Sequence, residues 1–269
     1  MVADDLHAVL CVCVLCVRHR LGPAAKRGYS LPQACGAALQ GEQPAPIQVS
    51  AVQAVQKLCA KLGEERKAMI VPLVGPLLET MLAMATRSDA ELLSHVIDTI
   101  NVLVPLNVEA ALAHQIPLGA LINAVFLKYS ADPFVSDSLN DIVDTIAQIP
   151  QLLPCLEDRL LTTALSVIGQ HANPELVGLV DQAVEIVGTV LKQLTPPVNP
   201  GLIGAAFPAI VGMMLQTDDL QAMQNGCDCL RAFVRAAPAE LAQWTDAAGS
   251  GSGYDYIVQV IQRILHPVH

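Results

Sequence analysis

Signals for the start of a helix recur along this chain at nearly constant intervals. Asp89, Asp132, Asn173 and Asp218 each precede an apolar segment, and each has a side-chain oxygen that can accept a hydrogen bond from an unpaired helix N–H. These residues are 43, 41 and 45 positions apart, and a similar start lies near Pro46, 43 positions before Asp89. A repeat of about 40–47 residues that contains two helices is typical of HEAT and armadillo proteins. The spacing therefore predicts an all-α fold, an α-α superhelix of HEAT/armadillo-type helix pairs.

The segments that follow these caps have the periodicity of amphipathic helices. Apolar side chains recur every three or four residues within 133–149, at Val135, Leu139, Ile142, Ile146 and Ile149. Residues 175–194 have the same spacing, at Leu176, Val180, Ala183, Val187, Val190 and Leu194. A period close to 3.6 residues indicates helices that bury one face against a neighbour.

The repeat covers most of the chain but not its first residues. We predict a HEAT-repeat solenoid over residues 29–269, with helix pairs at 47–87, 89–130, 132–170, 174–216 and 218–266. Residues 1–28 do not fit the pattern, and we leave them unassigned as an artificial or truncated start. Residues 8–17 are apolar, but Asp4 and Asp5 precede them, whereas a secretory signal has positive charge there. This favours part of a helix over a targeting segment.

Charge and composition narrow the classes of partner. Hydrophobic residues make up 53% of the chain and aromatic residues only 3%, which suits closely stacked helices better than an aromatic-rich β core. The formal net charge of −10 favours basic partners and disfavours nucleic acid, which needs clustered Lys and Arg. Charged or polar residues interrupt every long apolar run, so we expect no membrane partner.

No sequence motif indicates an enzyme or a metal site. The cysteines within residues 11–16 lack a second pair of ligands at zinc-binding spacing, and Cys227 and Cys229 would point to opposite sides of a helix. We interpret the cysteines as reduced packing residues of a cytoplasmic or nuclear protein. The Gly-Ser run at 249–253 lacks the strand and the Gly-Lys-Ser/Thr of a phosphate loop. We therefore predict a protein that is not an enzyme and has no cofactor.

Acidic residues recur at similar distances from the caps, eight to twelve positions into each first helix. They are Asp98, Asp141, Asp144, Asp181, Glu185 and Asp228. Equivalent positions of stacked repeats align, so these side chains would form an acidic ridge that binds a basic partner. Asp137 and Asp141 form a like-charge pair four residues apart, which costs a few tenths of a kcal/mol. A solvated face without a partner is the alternative interpretation.

Several short runs resemble sequences of the importin-β (karyopherin-β) family. They are Thr-Asp-Asp at 217–219, Met-Gln-Asn-Gly at 223–226, Cys-Leu-Arg-Ala at 229–232, Gln-Trp at 243–244, Phe-Leu-Lys-Tyr-Ser at 126–130 with Asp-Pro at 132–133, Ser-Ala-Val at 50–52, and residues 258–267. The likeness extends in order over residues 29–269. It implies a segment from the middle of a longer helical solenoid.

The resemblance implies a nuclear import receptor that shuttles between the cytoplasm and the nucleus. The implied partners are basic cargo, such as histones and ribosomal-type proteins, nucleoporins, and the GTPase Ran. Because Ran binds chiefly to N-terminal repeats in this family, we assign no Ran-contact residue here and expect Ran-GTP to release cargo through parts outside this segment. A generic HEAT scaffold or adaptor without Ran dependence is the alternative function.

The resemblance also bears on where the acidic ridge would lie. In importin-like solenoids the second helices of the pairs usually line the cargo surface. Here those helices carry few acids, at Glu79, Glu109, Glu157 and Asp158. The ridge on the first helices is therefore expected on the opposite face.

Overall fold

The computed structural model describes residues 44–61, 64–194, 198–246, 249 and 251–265. Across these residues the chain is helical, with turns between helices and an isolated β-bridge from Thr245 to Ser252. The predicted all-α HEAT-type fold is therefore confirmed. The predictions for residues 1–28, including the cysteines within 11–16, lie outside the described residues.

The helices follow one another with short connections. They are α1 (Ala45–Ala60), α2 (Glu64–Ala85), α3 (Ala90–Leu103), α4 (Val108–Ala113), α5 (Gln115–Tyr129), α6 (Pro133–Ala147), α7 (Leu153–Leu156), α8 (Thr162–Ile168), α9 (Val177–Gln193), α10 (Pro200–Met214), α11 (Leu220–Ala236), α12 (Pro238–Gln243) and α13 (Gly253–Leu265). Single 3₁₀ turns lie at Val104–Leu106, Pro150–Leu152 and Pro174–Leu176, and a π-helical turn at Glu157–Leu161 joins α7 to α8. None of the described helices is both long and apolar enough to span a bilayer.

The predicted helix caps are correct at three of the four positions. The Asp89 carboxylate accepts a hydrogen bond from Leu92 N at 3.0 Å and begins α3. The Asp132 carboxylate accepts from Val135 N at 3.2 Å at the start of α6. Asn173 Oδ1 accepts from Glu175 N at 3.1 Å at the 3₁₀ turn that leads into α9.

The fourth predicted cap, Asp218, is wrong. Asp219 caps α11, because its carboxylate accepts from Ala222 N at 2.8 Å. Asp218 instead forms an ion pair with Arg263 of α13 at 2.8 Å. The two adjacent aspartates are equivalent candidates by sequence, and in the structure Asp219 caps the helix while Asp218 pairs with Arg263.

Side-chain contacts between helices are separated in sequence by about one repeat. In one of the two compact units the chain forms, Gln53 Nε2 of α1 lies 3.1 Å from His95 Nε2 of α3, 42 residues later. In the other, Gln182 Nε2 of α9 donates to Ser136 Oγ of α6 at 2.6 Å, 46 residues earlier. We call α1, α3, α6, α9 and α11 the first helices. These contacts show that equivalent positions of successive first helices lie side by side.

The first unit comprises the described residues up to Leu121 together with Asp137–Thr145. In it α3 packs against α1 and α2, and its apolar side is buried at Leu93, Val96, Ile100 and Leu103. Asn107 links α4 to α2. Its Nδ2 donates a hydrogen bond to Val71 O of α2 at 3.0 Å, and its Oδ1 accepts from Ala110 N and so caps α4.

The second unit comprises Ile122–Ser136 and the described residues from Ile146 onward. Here α9 packs against α11, and α10 packs against α11 and α13. Four aromatic rings form an edge-to-face series through its core. The centroid distances are 5.6 Å for Phe207–Phe233, 5.0 Å for Phe207–Trp244 and 5.6 Å for Trp244–Tyr256. Aromatic residues are scarce in this chain, so the series concentrates them in one core.

Candidate functional site

The first unit brings together three of the six predicted acidic residues. Asp98 lies on α3, and Asp141 and Asp144 lie on α6. The apolar side of α6 is fully buried at Leu139 and Ile142, so the carboxylates spaced three and four residues apart are left on its outer side. Asp141 is exposed, whereas Asp98 and Asp144 are half-buried.

Asp137 joins these three residues to form what we call the acidic cluster. The pKa of the Asp141 carboxyl is raised, and partial burial of the carboxyl is the largest cause. The negative charges of Asp98, Asp137 and Asp144 raise the pKa further. Among the described residues, the charges that shift this pKa are all negative. Asp98 belongs to the preceding first helix, 43 positions before Asp141, and its charge acts on the Asp141 carboxyl from that neighbouring helix.

The second unit arranges its three predicted acids differently. Burial raises the pKa of the Asp181 carboxyl, and the charge of Asp219 raises it further. The sequence pattern assigns the cap to Asp218 and therefore does not predict Asp219 as a neighbour of Asp181. Glu185 is exposed on α9, one turn beyond Asp181. Asp228 is bonded to Arg231 at 2.8 Å on the same helix, so its charge is locally compensated.

Carboxylates held close together at partly exposed positions favour a positively charged partner. Each ion pair with an exposed Lys or Arg contributes only ~0.2–1 kcal/mol, so several must act together. Among the described residues no three His, Cys, Asp or Glu side chains are arranged to hold a metal ion.

Two buried cysteines, Cys59 and Cys229, have thiols with raised pKa values. Burial raises the pKa of the Cys59 thiol to about 11 and that of the Cys229 thiol to about 12. Thiols with such values stay protonated at neutral pH. The Cys229 thiol donates to Val184 O at 3.3 Å between α9 and α11, which confirms its predicted packing role. Cys227 lies instead on the exposed side of α11.

Comparison with known proteins shows similarity to a curated protein. No protein-family model matches the chain. The chain is 30% identical over 203 residues to a protein named Importin-9 from Drosophila melanogaster. The matched region covers 76% of this chain and 19% of that protein. The chain therefore spans about a fifth of the length of this curated relative.

Proposed function

Because the chain belongs to the importin-β family, we propose that it is a segment of a nuclear import receptor that binds basic protein cargo, such as histones or ribosomal-type proteins. Cargo release is regulated by Ran-GTP, which acts through parts of the receptor outside this chain. The receptor shuttles between the cytoplasm and the nucleus and binds nucleoporins during this transport. It works by binding and release, and it catalyses no reaction.

The acidic cluster is the observation that supports basic cargo, through a contact on the first helices rather than on the second helices that usually line the cargo surface of importin-like solenoids. It places Asp98, Asp137, Asp141 and Asp144 on two adjacent first helices, and within the described part of the chain the charges that shift the Asp141 pKa are all negative. A concentrated negative potential attracts a basic partner over a distance of about one Debye length, ~8–10 Å in physiological salt. Such attraction raises the association rate more than it raises the affinity.

Repeat architecture supports the release step. We propose that the helix pairs at 47–87, 89–130, 132–170, 174–216 and 218–266 are the repeat units. In a solenoid each repeat contacts only its neighbours, so small rotations between pairs add up to a large change in curvature. A regulator that binds elsewhere on the receptor can therefore loosen cargo bound to this segment.

The cargo proposal is tested by comparing two variants that carry the same net charge. The first, D98N/D137N/D141N/D144N, neutralises the acidic cluster. The second, E79Q/E109Q/E157Q/D158N, neutralises four acids outside the first helices. Binding of a labelled core histone dimer is measured by fluorescence anisotropy at low and physiological salt.

We expect the cluster variant to lose affinity and the matched variant to keep it. Equal losses would indicate an unspecific effect of net charge. A loss confined to the matched variant would move the cargo surface to the other helices.

Ran dependence separates the receptor from a generic HEAT scaffold. The full-length protein is used to pull down the histone dimer with and without GTP-loaded Ran. Release on addition of Ran-GTP is the result expected for a receptor. Histone binding that ignores Ran-GTP would leave a scaffold or adaptor as the function.

A further inference from the structure

Exposed apolar side chains recur at one position of three successive first helices in the second unit. We call them the apolar row: Phe134 of α6, Val177 of α9 and Leu220 of α11, each 43 residues after the one before. Phe134 is 77% exposed, Val177 43% and Leu220 84%. Each lies in the first turn of its helix. Single exposed apolar residues are common, whereas their repetition at equivalent positions of stacked helices indicates a binding surface.

The apolar row stays exposed where the next first helix is already in place. Gln182 Nε2 of α9 donates to Ser136 Oγ of α6, two residues after Phe134. In the same unit α11 packs against α9. Phe134 and Val177 therefore remain in contact with water although a following repeat packs beside each of their helices. The apolar row is distinct from the faces that successive repeats bury against each other.

Acidic side chains accompany the apolar row, two residues before each of its members. They are Asp132, Glu175 and Asp218, again 43 residues apart. The segments that contain the row, 130–136, 171–181 and 216–224, have five Asp or Glu residues and no Lys or Arg. Arg263 of α13 pairs with Asp218, so one of these charges is locally compensated. The remaining negative charge favours a partner that has Lys or Arg beside its apolar side chains.

The spacing of the first helices indicates the conformation of that partner. The axes of packed helices are about 8–10 Å apart. A polyproline II segment has three residues per turn and rises ~3.1 Å per residue, so every third side chain returns to the same side after ~9 Å. A β-strand instead presents every second side chain on one side, ~7 Å apart. A polyproline II segment that crosses the first helices therefore places every third residue against one member of the apolar row.

We propose that the apolar row binds an unfolded basic segment of a partner protein in the polyproline II conformation, with an apolar residue at every third position and Lys or Arg between. Unfolded chains populate this conformation readily, so binding has to impose little additional order. The inference rests on the proposed function, because such a segment is an extended part of a basic cargo. It uses residues other than those of the acidic cluster.

The test uses the whole chain and three synthetic peptides of equal length. The first repeats Leu-Lys-Pro, in which proline favours the polyproline II conformation. The second has the same composition with its leucines at irregular spacing, and the third repeats Leu-Ser-Pro. Fluorescence anisotropy at physiological salt measures the affinity of each peptide for the native chain.

Two variants locate the binding surface. F134S/V177S/L220S removes the apolar row, and L73S/I116S/L127S removes three exposed apolar side chains of α2 and α5 as a matched control. Circular dichroism checks that both variants keep their helix content. Binding of the core histone dimer to the native chain and to the acidic-cluster variant is measured in parallel.

The native chain is expected to bind the Leu-Lys-Pro peptide on the order of tenfold more tightly than either of the other peptides. The row variant is expected to lose this preference and the matched variant to keep it. Equal binding of the three peptides, or an equal loss in both variants, would overturn the inference. If histone binding still depended on the acidic cluster in that case, the proposed function would stand without it. A peptide preference without histone binding would support the apolar row and contradict the proposed cargo.

Discussion

Gly188 of α9 lies directly against the thiol of Cys229 of α11. A Cβ at position 188 would stand 3.0 Å from Cys229 Sγ, closer than packed atoms normally approach. Cys229 is fully buried and its thiol is bonded to Val184 O, so it has little room to move. The absence of a side chain at Gly188 therefore sets how closely these two first helices pack.

Gly188→Ala should destabilise the protein despite the better helix propensity of alanine. Overpacking costs ~1–3 kcal/mol, and the propensity gain offsets ~1 kcal/mol of it, which leaves a net loss of about 1 kcal/mol. Urea unfolding measures the change. Cys229→Ala should relieve the contact, so the double variant should be less destabilised than the sum of the two single variants.

Gly178 supplies the matched control on the same helix. A Cβ there would meet no atom within 4 Å. Gly178→Ala should therefore change the free energy of unfolding by between zero and a gain of ~1 kcal/mol, the full difference in helix propensity. Equal destabilisation by both substitutions would show that the Gly188–Cys229 contact is not the cause.

Much of the fold can be predicted from the sequence because the repeat depends on local signals. Asp89, Asp132 and Asn173 cap helices through their own backbone neighbours, and amphipathic spacing marks the buried sides. The resemblance to the importin-β family is confirmed as well. The Gly188–Cys229 contact could not be predicted, because it depends on how α9 and α11, which begin 43 residues apart in sequence, rotate against each other.

The adjacent residues Asp218 and Asp219 should respond differently to substitution. Asp219→Ala removes the cap of α11 and should cost ~0.5–2 kcal/mol, whereas Asp219→Asn should keep most of the capping energy. Asp218→Ala removes an ion pair in which the Asp218 side chain is almost fully exposed, so its cost should stay within ~0–1 kcal/mol. Thermal unfolding of the three variants tests this order. A larger loss of stability for Asp218→Ala than for Asp219→Ala would indicate that Asp218 is the residue that caps α11.

The aromatic series of the second unit provides its own reporter, because Trp244 is the single tryptophan of the chain. Phe207 is fully buried against it, with ring centroids 5.0 Å apart. Phe207→Ala should cost ~3–5 kcal/mol and shift the tryptophan emission toward the red. Phe134→Ala, at a position 77% exposed, should change stability by less than ~0.5 kcal/mol. Denaturant unfolding followed by Trp244 fluorescence compares the two.

The candidate site was only partly predictable, for electrostatic reasons. Equal offsets from the caps identified Asp98, Asp141 and Asp144, which the first unit does bring together. The same rule selected Asp228, but Arg231 three residues later neutralises its charge. Counting positions from the caps identifies which acidic residues recur. The electrostatic potential at each carboxylate depends in addition on every neighbouring charge.

Partial burial of the Asp141 carboxyl, together with repulsion within the acidic cluster, predicts an unusual dependence of stability on pH. The pKa of Asp141 is raised in the folded protein above its ordinary value of 3.8, so the folded state holds the proton more tightly than the unfolded state does. The stabilising contribution of the Asp141 carboxyl is therefore fully present below about pH 3.8. It is lost as the pH rises through the pKa that this carboxyl has in the folded state.

Asp141→Asn removes this penalty and should stabilise the protein at pH 7 by a few tenths of a kcal/mol. The gain should shrink in 0.5 M salt, which screens the cluster, and should vanish near pH 3.5. Asp228→Asn is the control, because it breaks an ion pair with Arg231 and should give no gain at any pH. Urea unfolding at pH 3.5 and pH 7 measures the change in the free energy of unfolding for both variants. A stability gain from Asp141→Asn that persists at pH 3.5 would mean that its origin is not the charge of the carboxylate.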